Sequence, residues 1–296
     1  MRDEQIATPV RCSAPLREFS LAIEASYPLP RRCYAAQSFG VEDPRLIVSS
    51  RGEPLLQYGR PSVEGGRCRV LAVVDARVAV PELAQSWPNP PIRHRRAFDL
   101  LRPDQQRVEK NWAHLGLPAF VGADHDRWHV QIAPQTIVAL DGEDMSAMSV
   151  APDADRCLER LLGHSADGWK LHHATGFIAV TLCRRGACVP TAENSRLFGV
   201  FHLKRAHPTR YVPHVLTLDA AAPHRIRSLS PALEYGGLGQ SYTFATTLAW
   251  TRPRTEHGLS HGFLDDEVLL SMGVGDKTGA LVQVRAEQFL GGHLLC

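Results

Sequence analysis

The stretch FGVEDPRLI, residues 39–47, sets Glu42, Asp43 and Arg45 around Pro44 at the mouth of an apolar run. Asp-Pro marks a turn, because the residue before proline is pushed out of the helical region and proline fixes its own φ. Ionised acids only accept hydrogen bonds, and a guanidinium donates in a fixed plane. Held on one rigid corner, the three side chains make either a salt-bridged turn or a fork for hydroxyl groups. The rest of the chain has to decide between them.

Outward from that corner, short apolar runs rich in β-branched residues recur with turn residues between them. They are RCRVLAVVDA (67–76), RWHVQIAP (127–134), GFIAVTLC (176–183), RLFGVFHLKR (196–205), YVPHVLTLDA (211–220), SYTFATTLAW (241–250), DEVLLSMGVGD (266–276) and GALVQVRAEQF (279–289). Each predicts a strand. The best helical pattern is ADRCLERLLGH (154–164), with Cys157, Leu158, Leu161 and Leu162 at helical spacing. The expected fold class is therefore all-β, with short helical or irregular insertions. Strands bunch into groups of two to four, and radial repetition of small antiparallel sheets protects the edges of a large all-β chain, which favours a propeller over a sandwich. Residues 86–112 are proline-rich and charged but carry Trp87, Phe98 and Trp112, so they predict an anchored crossing between two sheets and not a disordered linker. One domain over 1–296 is expected, with 1–35 an irregular N-terminal segment.

Thirty-three basic against 31 acidic side chains leave a net charge of +2, too little for an electrostatic grip on nucleic acid or membrane. No run has the length of a signal-peptide core or a membrane span, so a cytoplasmic protein is expected. The odd count of seven scattered cysteines argues against a disulfide framework. Cys183 and Cys188 flank a hairpin turn, which makes them cross-strand neighbours before it makes them metal ligands. Adjacent His172 and His173 point to opposite faces of a strand and do not share an ion. No metal site and no glycine-rich phosphate loop is visible, and no cofactor is expected.

Four clusters stand out from the strand background: Glu42-Asp43-Pro44-Arg45; Glu109-Lys110-Asn111-Trp112, which combines polar groups with an aromatic face as sugar sites do; His202 and Lys204, two apart on one strand face; and SMGVGD, where Asp276 follows two glycines that admit close backbone approach. Singly, each has a structural explanation: a salt-bridged turn, a loop closing over the core, a core histidine, a turn acid. In this order over residues 39–290, the series EDPR, EKNW, FHLKR and SMGVGD resembles glycoside hydrolase family 130, the β-mannoside phosphorylases and hydrolases with related β-mannosyltransferases.

That resemblance implies a five-bladed β-propeller with a sugar site on its axis and inversion at an anomeric carbon. It implies that Asp43, Arg45 and Asp276 hold the sugar and that His202 faces the phosphate or nucleophile. The family's catalytic aspartate follows a lysine, and here Lys110 is followed by Asn111, an amide that cannot donate an acid's proton. Ala133, Pro134 and Gln135 stand where the family's basic phosphate contacts lie. If the leaving group is a phosphate or nucleotide, which departs as an anion, no strong acid is needed. Glu109 and Asp276 are then the candidate catalytic carboxylates, with His202 a further candidate base. Glu42, Asp43, Arg45, Lys110, Asn111, Trp112, His202 and Lys204 are the candidate substrate ligands. The expected partner is a carbohydrate, with a sugar nucleotide or phosphate as co-substrate. A non-catalytic glycan-binding propeller and a protein-interaction propeller are the alternatives from other classes.

Overall fold

The computed structural model describes residues 41–62, 68–101, 108–122, 125–141, 144–149, 158, 169–205, 210–234, 243–252, 258–275 and 277–296. Four antiparallel sheets follow one another along the chain. The first runs β1 (Glu42–Val48), β2 (Pro54–Pro61), β3 (Arg69–Asp75) and β4 (Phe98–Leu100), and the second β5 (Ala113–His114), β6 (Asp126–Gln131), β7 (Thr136–Asp141) and β8 (Asp144–Ser149). The third centres on β11 (Ser195–Arg205). Its two halves pair on one side with β9 (Trp169–His173) and β10 (Ile178–Thr181), and on the other it continues through β12 (Arg210–Asp219) and β13 (Ile226–Leu229) to β18 (Leu294–Leu295). The fourth is β14 (Thr243–Trp250), β16 (Glu267–Val274) and β17 (Thr278–Arg285), while β15 (His261–Phe263) lies parallel beside β10. The fold is all-β, and all eight runs read as strands contain one. The helical pattern at 154–164 and the N-terminal segment 1–35 lie outside the described residues, apart from Leu158, which packs in the core.

The sheets pack face to face in chain order. Ile47, Leu55, Leu71 and Val73 of the first meet Trp128, Val130 and Val138 of the second. Leu115, Ile132 and Ile137 meet Phe177, Leu197 and Phe201 of the third, and Val180, Phe198 and Val215 meet Leu248, Val268 and Leu270 of the fourth. The strand β3, RVLAVVD, is buried at every position because both of its faces are covered: Leu71 and Val73 on one side, Ala72 and Val74 with Tyr58 on the other. The crossing at 86–112 is anchored as expected. The Trp87 indole donates to the Gly52 carbonyl at 3.0 Å, Phe98 lies in β4 and Trp112 is fully buried.

The second and third sheets are laced together where the chain leaving β5 runs beside the chain entering β10. The Gly116 amide donates to the Phe177 carbonyl at 2.9 Å and the Phe177 amide to His114 at 2.8 Å. A Cβ on Gly116 would stand 2.6 Å from that Phe177 oxygen and 2.8 Å from Ser260 Cβ, neither of which can swing aside. Gly116→Ala is expected to destabilise the fold by about 1–3 kcal/mol, the range for overpacking, read as a lower urea midpoint at unchanged slope.

The cysteine reading needs correction. Cys183 and Cys188 flank the turn as expected, but they are covalently bonded, with their Cα atoms 6.3 Å apart across it, and Cys68 and Cys296 are disulfide-bonded as well. An odd, scattered count does not prevent pairing when the fold brings distant positions together. Among the described residues no helix is long and apolar enough to cross a membrane.

Candidate functional site

The corner at Asp43-Pro44 is a bulged strand and not a free turn. Glu42 pairs with Gly59 and Arg45 with Gln57, so three steps along β1 match two along β2. Residues three apart on a regular strand point to opposite faces; the extra residue returns Glu42 and Arg45 to the same one. Asp43 takes up the distortion at φ 51°, a conformation that costs a non-glycine residue about 1–3 kcal/mol. Glu42 is then held by Arg69 at 2.9 Å and Lys110 at 3.1 Å.

Arg45 differs from its neighbours. It is only 7% exposed, no carboxylate among the described residues forms an ion pair with it, and its Nη1 is buried without a hydrogen-bond partner. Burial lowers its pKa, with the Asp43 charge opposing that shift. Arg45 borders a cleft of about 10 Å³ together with Asp43, Gly59, Arg69, Lys110 and Asn111. It also borders a separate cavity of about 260 Å³, lined by β1, by Trp112 and His114, by Phe177 and Ile178, and by β14.

Asn111 is the second strained residue, at φ 61°, and two adjacent histidines hold it. Its amide donates to His172 Nδ1 at 3.1 Å, while its backbone carbonyl is hydrogen-bonded by His173. The other nitrogen of His173 meets His129 Nδ1 at 2.7 Å, so a buried imidazole pair backs the carbonyl. The alternation of a strand sends His172 to the site and His173 to the core. That parity, noted above only to exclude a shared ion, was the feature that could have identified both.

Register completes the face. Across β9 and β11, His172 is opposite His202 and Lys170 opposite Lys204, and across β11 and β12 Lys204 is opposite Tyr211. Paired residues share a face, so two imidazoles and two ammonium groups lie side by side, and like charges directly opposite are destabilising. The Lys204 ammonium sits 5.4 Å from the Tyr211 ring centroid, and Phe244 packs on both Tyr211 and His202. Burial pushes His202 down to about 3, helped by His172 and Arg45, and His172 down to about 4, helped by Lys204, Lys170 and Lys110. Both imidazoles are therefore neutral at pH 7 within an electropositive surround. A groove of about 550 Å³ beside them is lined by Glu109, Lys110, Asn111, Trp169, Lys170 and His172, among others.

Asp43, Arg45, Lys110 and Asn111 thus border one cleft, and Asn111 bonds His172, which the sequence reading left out along with Lys170 and which lies opposite His202 beside Lys204. Glu109 lines the groove but is 4% exposed, and it accepts the Trp112 indole hydrogen bond at 3.0 Å. Trp112 belongs to the core and to the wall of the 260 Å³ cavity. Asp276 lies outside the described residues. Among the described residues no group of three or more His, Cys, Asp or Glu is placed to hold a metal ion.

No family model matches the chain, and no curated protein matches it. Solved glycoside-processing enzymes are similar to it. One is a beta-1,2-mannobiose phosphorylase from Listeria innocua in complex with beta-1,2-mannobiose, with TM-score 0.45 and 13% identity over 86% of this chain and 60% of that one. Another is a glycosyl hydrolase from Bacteroides ovatus, with TM-score 0.44 and 10% identity over 84% of this chain and 66% of that one. The chain spans less than two thirds of the length of either.

Proposed function

We propose that this protein is a carbohydrate-active enzyme that transfers or hydrolyses a glycosyl unit, mannose-like, by an inverting route. The observation that carries the reading is the bulge at Asp43-Pro44. It brings a carboxylate and a buried guanidinium up to the strained Asn111 amide, which with Lys110 also lines the groove of about 550 Å³, where a sugar ring has room. A pyranose requires such a set of fixed acceptors and donors in place of water. Four consecutive sheets around one cavity support a propeller over residues 1–296; the five-bladed form needs one sheet more than the described residues supply.

Lys110, Lys170 and Lys204 around neutral histidines favour an anionic partner, a phosphate or a sugar nucleotide. Such a leaving group needs no proton donor, which suits an amide at position 111. Asp43 and Arg45 hold the sugar, Asn111 and His172 orient it, and His202 faces the anion. Glu109 acts as base, with Asp276 the second carboxylate.

A second reading, a glycan-binding protein without catalysis, is favoured by the engagement of Glu109 with the Trp112 indole. Glu109→Gln separates the two, because a glutamine oxygen still accepts that hydrogen bond. With β-mannosides offered water, phosphate or an acceptor, and with a mannose nucleotide as donor, the variant should lose on the order of a hundredfold or more in kcat while sugar affinity stays within about twofold. Sugar binding without turnover by the wild type in any format would leave the binding protein. No sugar-dependent thermal shift at all would defeat both readings.

A further inference from the structure

The groove of about 550 Å³ shares only Lys110 and Asn111 with the cleft at Asp43 and continues from them along β9. Among the described strands β9 pairs with β11 alone, so its other edge is open, and a ligand lying along that edge can touch side chains from both faces of the strand. His172 stands at the end bonded to Asn111; Lys170 and Trp169 follow about 7 and 10 Å farther along, at about 3.3 Å per residue. By the same alternation Trp169 shares the face of Leu171, which puts it on an apolar wall with Leu171 and Leu203. Its indole is half-buried and has no ring contact and no hydrogen bond among the described residues. The other four tryptophans are all engaged: Trp87, Trp112 and Trp128 donate hydrogen bonds, and Trp250 packs on Phe198. Lys170, on the opposite face, has no carboxylate partner among the described residues, and neither has Lys204 across from it. Glu109 is the only carboxylate among the described lining residues, and it is held by the Trp112 indole.

We infer that this groove holds a nucleoside diphosphate, so that the glycosyl donor is a sugar nucleotide and Trp169 is the platform on which its base stacks. The inference rests on the glycosyl reading of the cleft at Asp43. Along β9 come Asn111 with His172, then Lys170 with Lys204 across from it, then a bare indole, which is the order of glycosyl, diphosphate and base in such a donor. Inorganic phosphate would satisfy the lysines and leave the Trp169 end empty. A neutral oligosaccharide would leave two ammonium groups directly opposite each other uncompensated, which destabilises a sheet. A base offers a π-face to the indole, and the diphosphate carries the charge that the lysines lack. The groove lies within the roughly 300–1,000 Å³ of sites for ligands of that size. On transfer the bond between the anomeric carbon and the phosphate oxygen breaks and the nucleoside diphosphate leaves with the electron pair. The acceptor oxygen bonds the same carbon, and its proton passes to Glu109.

Titration calorimetry with guanosine and uridine diphosphates tests it, with pyrophosphate and inorganic phosphate as probes that lack the base. At least one of the two nucleotides should bind one to one at about 100 µM or tighter, and at least about tenfold tighter than pyrophosphate. Trp169→Ala should weaken the nucleotide about tenfold or more while pyrophosphate stays within about twofold, and Trp169→Phe should restore most of the affinity. Lys170→Gln should weaken nucleotide and pyrophosphate alike and make both less sensitive to salt. If Trp169→Ala does not fold, quenching of indole fluorescence by the nucleotide decides: it should be present in the wild type and lost in Trp169→Phe. No nucleotide binding at about five millimolar, a nucleotide no tighter than pyrophosphate, or quenching unchanged in Trp169→Phe would overturn the inference. A thermal shift with a β-mannoside but no nucleotide binding would also overturn it, and would leave the glycosyl reading with phosphate or water as the partner. Nucleotide binding without any sugar-dependent shift would keep the groove's assignment and overturn the glycosyl reading alone.

Discussion

Arg45→Met is expected to make the protein more stable and functionally inert. The side chain is 7% exposed, its Nη1 has no partner, and no ion pair among the described residues offsets the buried charge. Methionine keeps most of the apolar volume and removes the charge. Replacement of buried charge by apolar groups is commonly neutral or stabilising, so a gain of about 1–3 kcal/mol is expected, measured as a raised urea midpoint at constant slope. Sugar-dependent thermal shift and turnover should both fall by at least about a hundredfold in affinity or kcat/KM, because the planar donor that orients the ligand is gone. The opposite signs in stability and function are the informative part. A functional site keeps a group that the fold would be better without. Loss of stability in Arg45→Met would instead make the guanidinium a structural element and remove the main support for the glycoside reading.

The second large effect is acid sensitivity. His129, His202 and His224 are fully buried and neutral; burial pushes them down to about 3, about 3 and about 4 from an ordinary 6.5. The unfolded chain binds these protons below pH 6.5 and the folded chain does not. Stability is therefore level above about pH 7 and falls as the pH drops from 6.5 toward the folded values. Each histidine contributes about 1.4 kcal/mol per pH unit, so the three together give roughly 4 kcal/mol per unit. From pH 6.5 to 4 the loss sums to about 10 kcal/mol, comparable with a total of about 5–15 kcal/mol, so the midpoint of acid unfolding should fall near pH 4. Urea titrations from pH 9 to 4 would show it, and His129→Phe should reduce the slope by about one histidine's share. A flat profile between pH 6.5 and 5 would mean that these imidazoles are not buried as described.

The Lys170–Lys204 juxtaposition was available in principle from the letters, since each lies two positions from a histidine on its own strand. What the letters lack is the pairing of β9 with β11, 30 residues apart in sequence, which sets those strands side by side in that register. Asp43 shows the same limit from another direction. Asp-Pro predicts a local change of direction, and there is one. Whether it ends the strand or bulges it depends on whether β2 continues to pair beyond it, and β2 does, from Pro54 to Gly59. Asn111 could not be recognised as strained at all, because it is held by hydrogen bonds it makes with His172 and His173, some 60 positions away.

The sequence by itself determined the all-β class, the placement of eight strands and the anchoring tryptophans of the long crossing, because these follow from the period of apolar residues and from local backbone preference. It also determined which residue types were available for a site. Only the tertiary structure decided which of them meet, that His172 and Lys170 join them, that Glu109 is tied to an indole, and that the four cysteines among the described residues are bonded. Those outcomes depend on strand register and on sheet-to-sheet packing, which are set by contacts between positions far apart in the chain and leave no periodic trace along it.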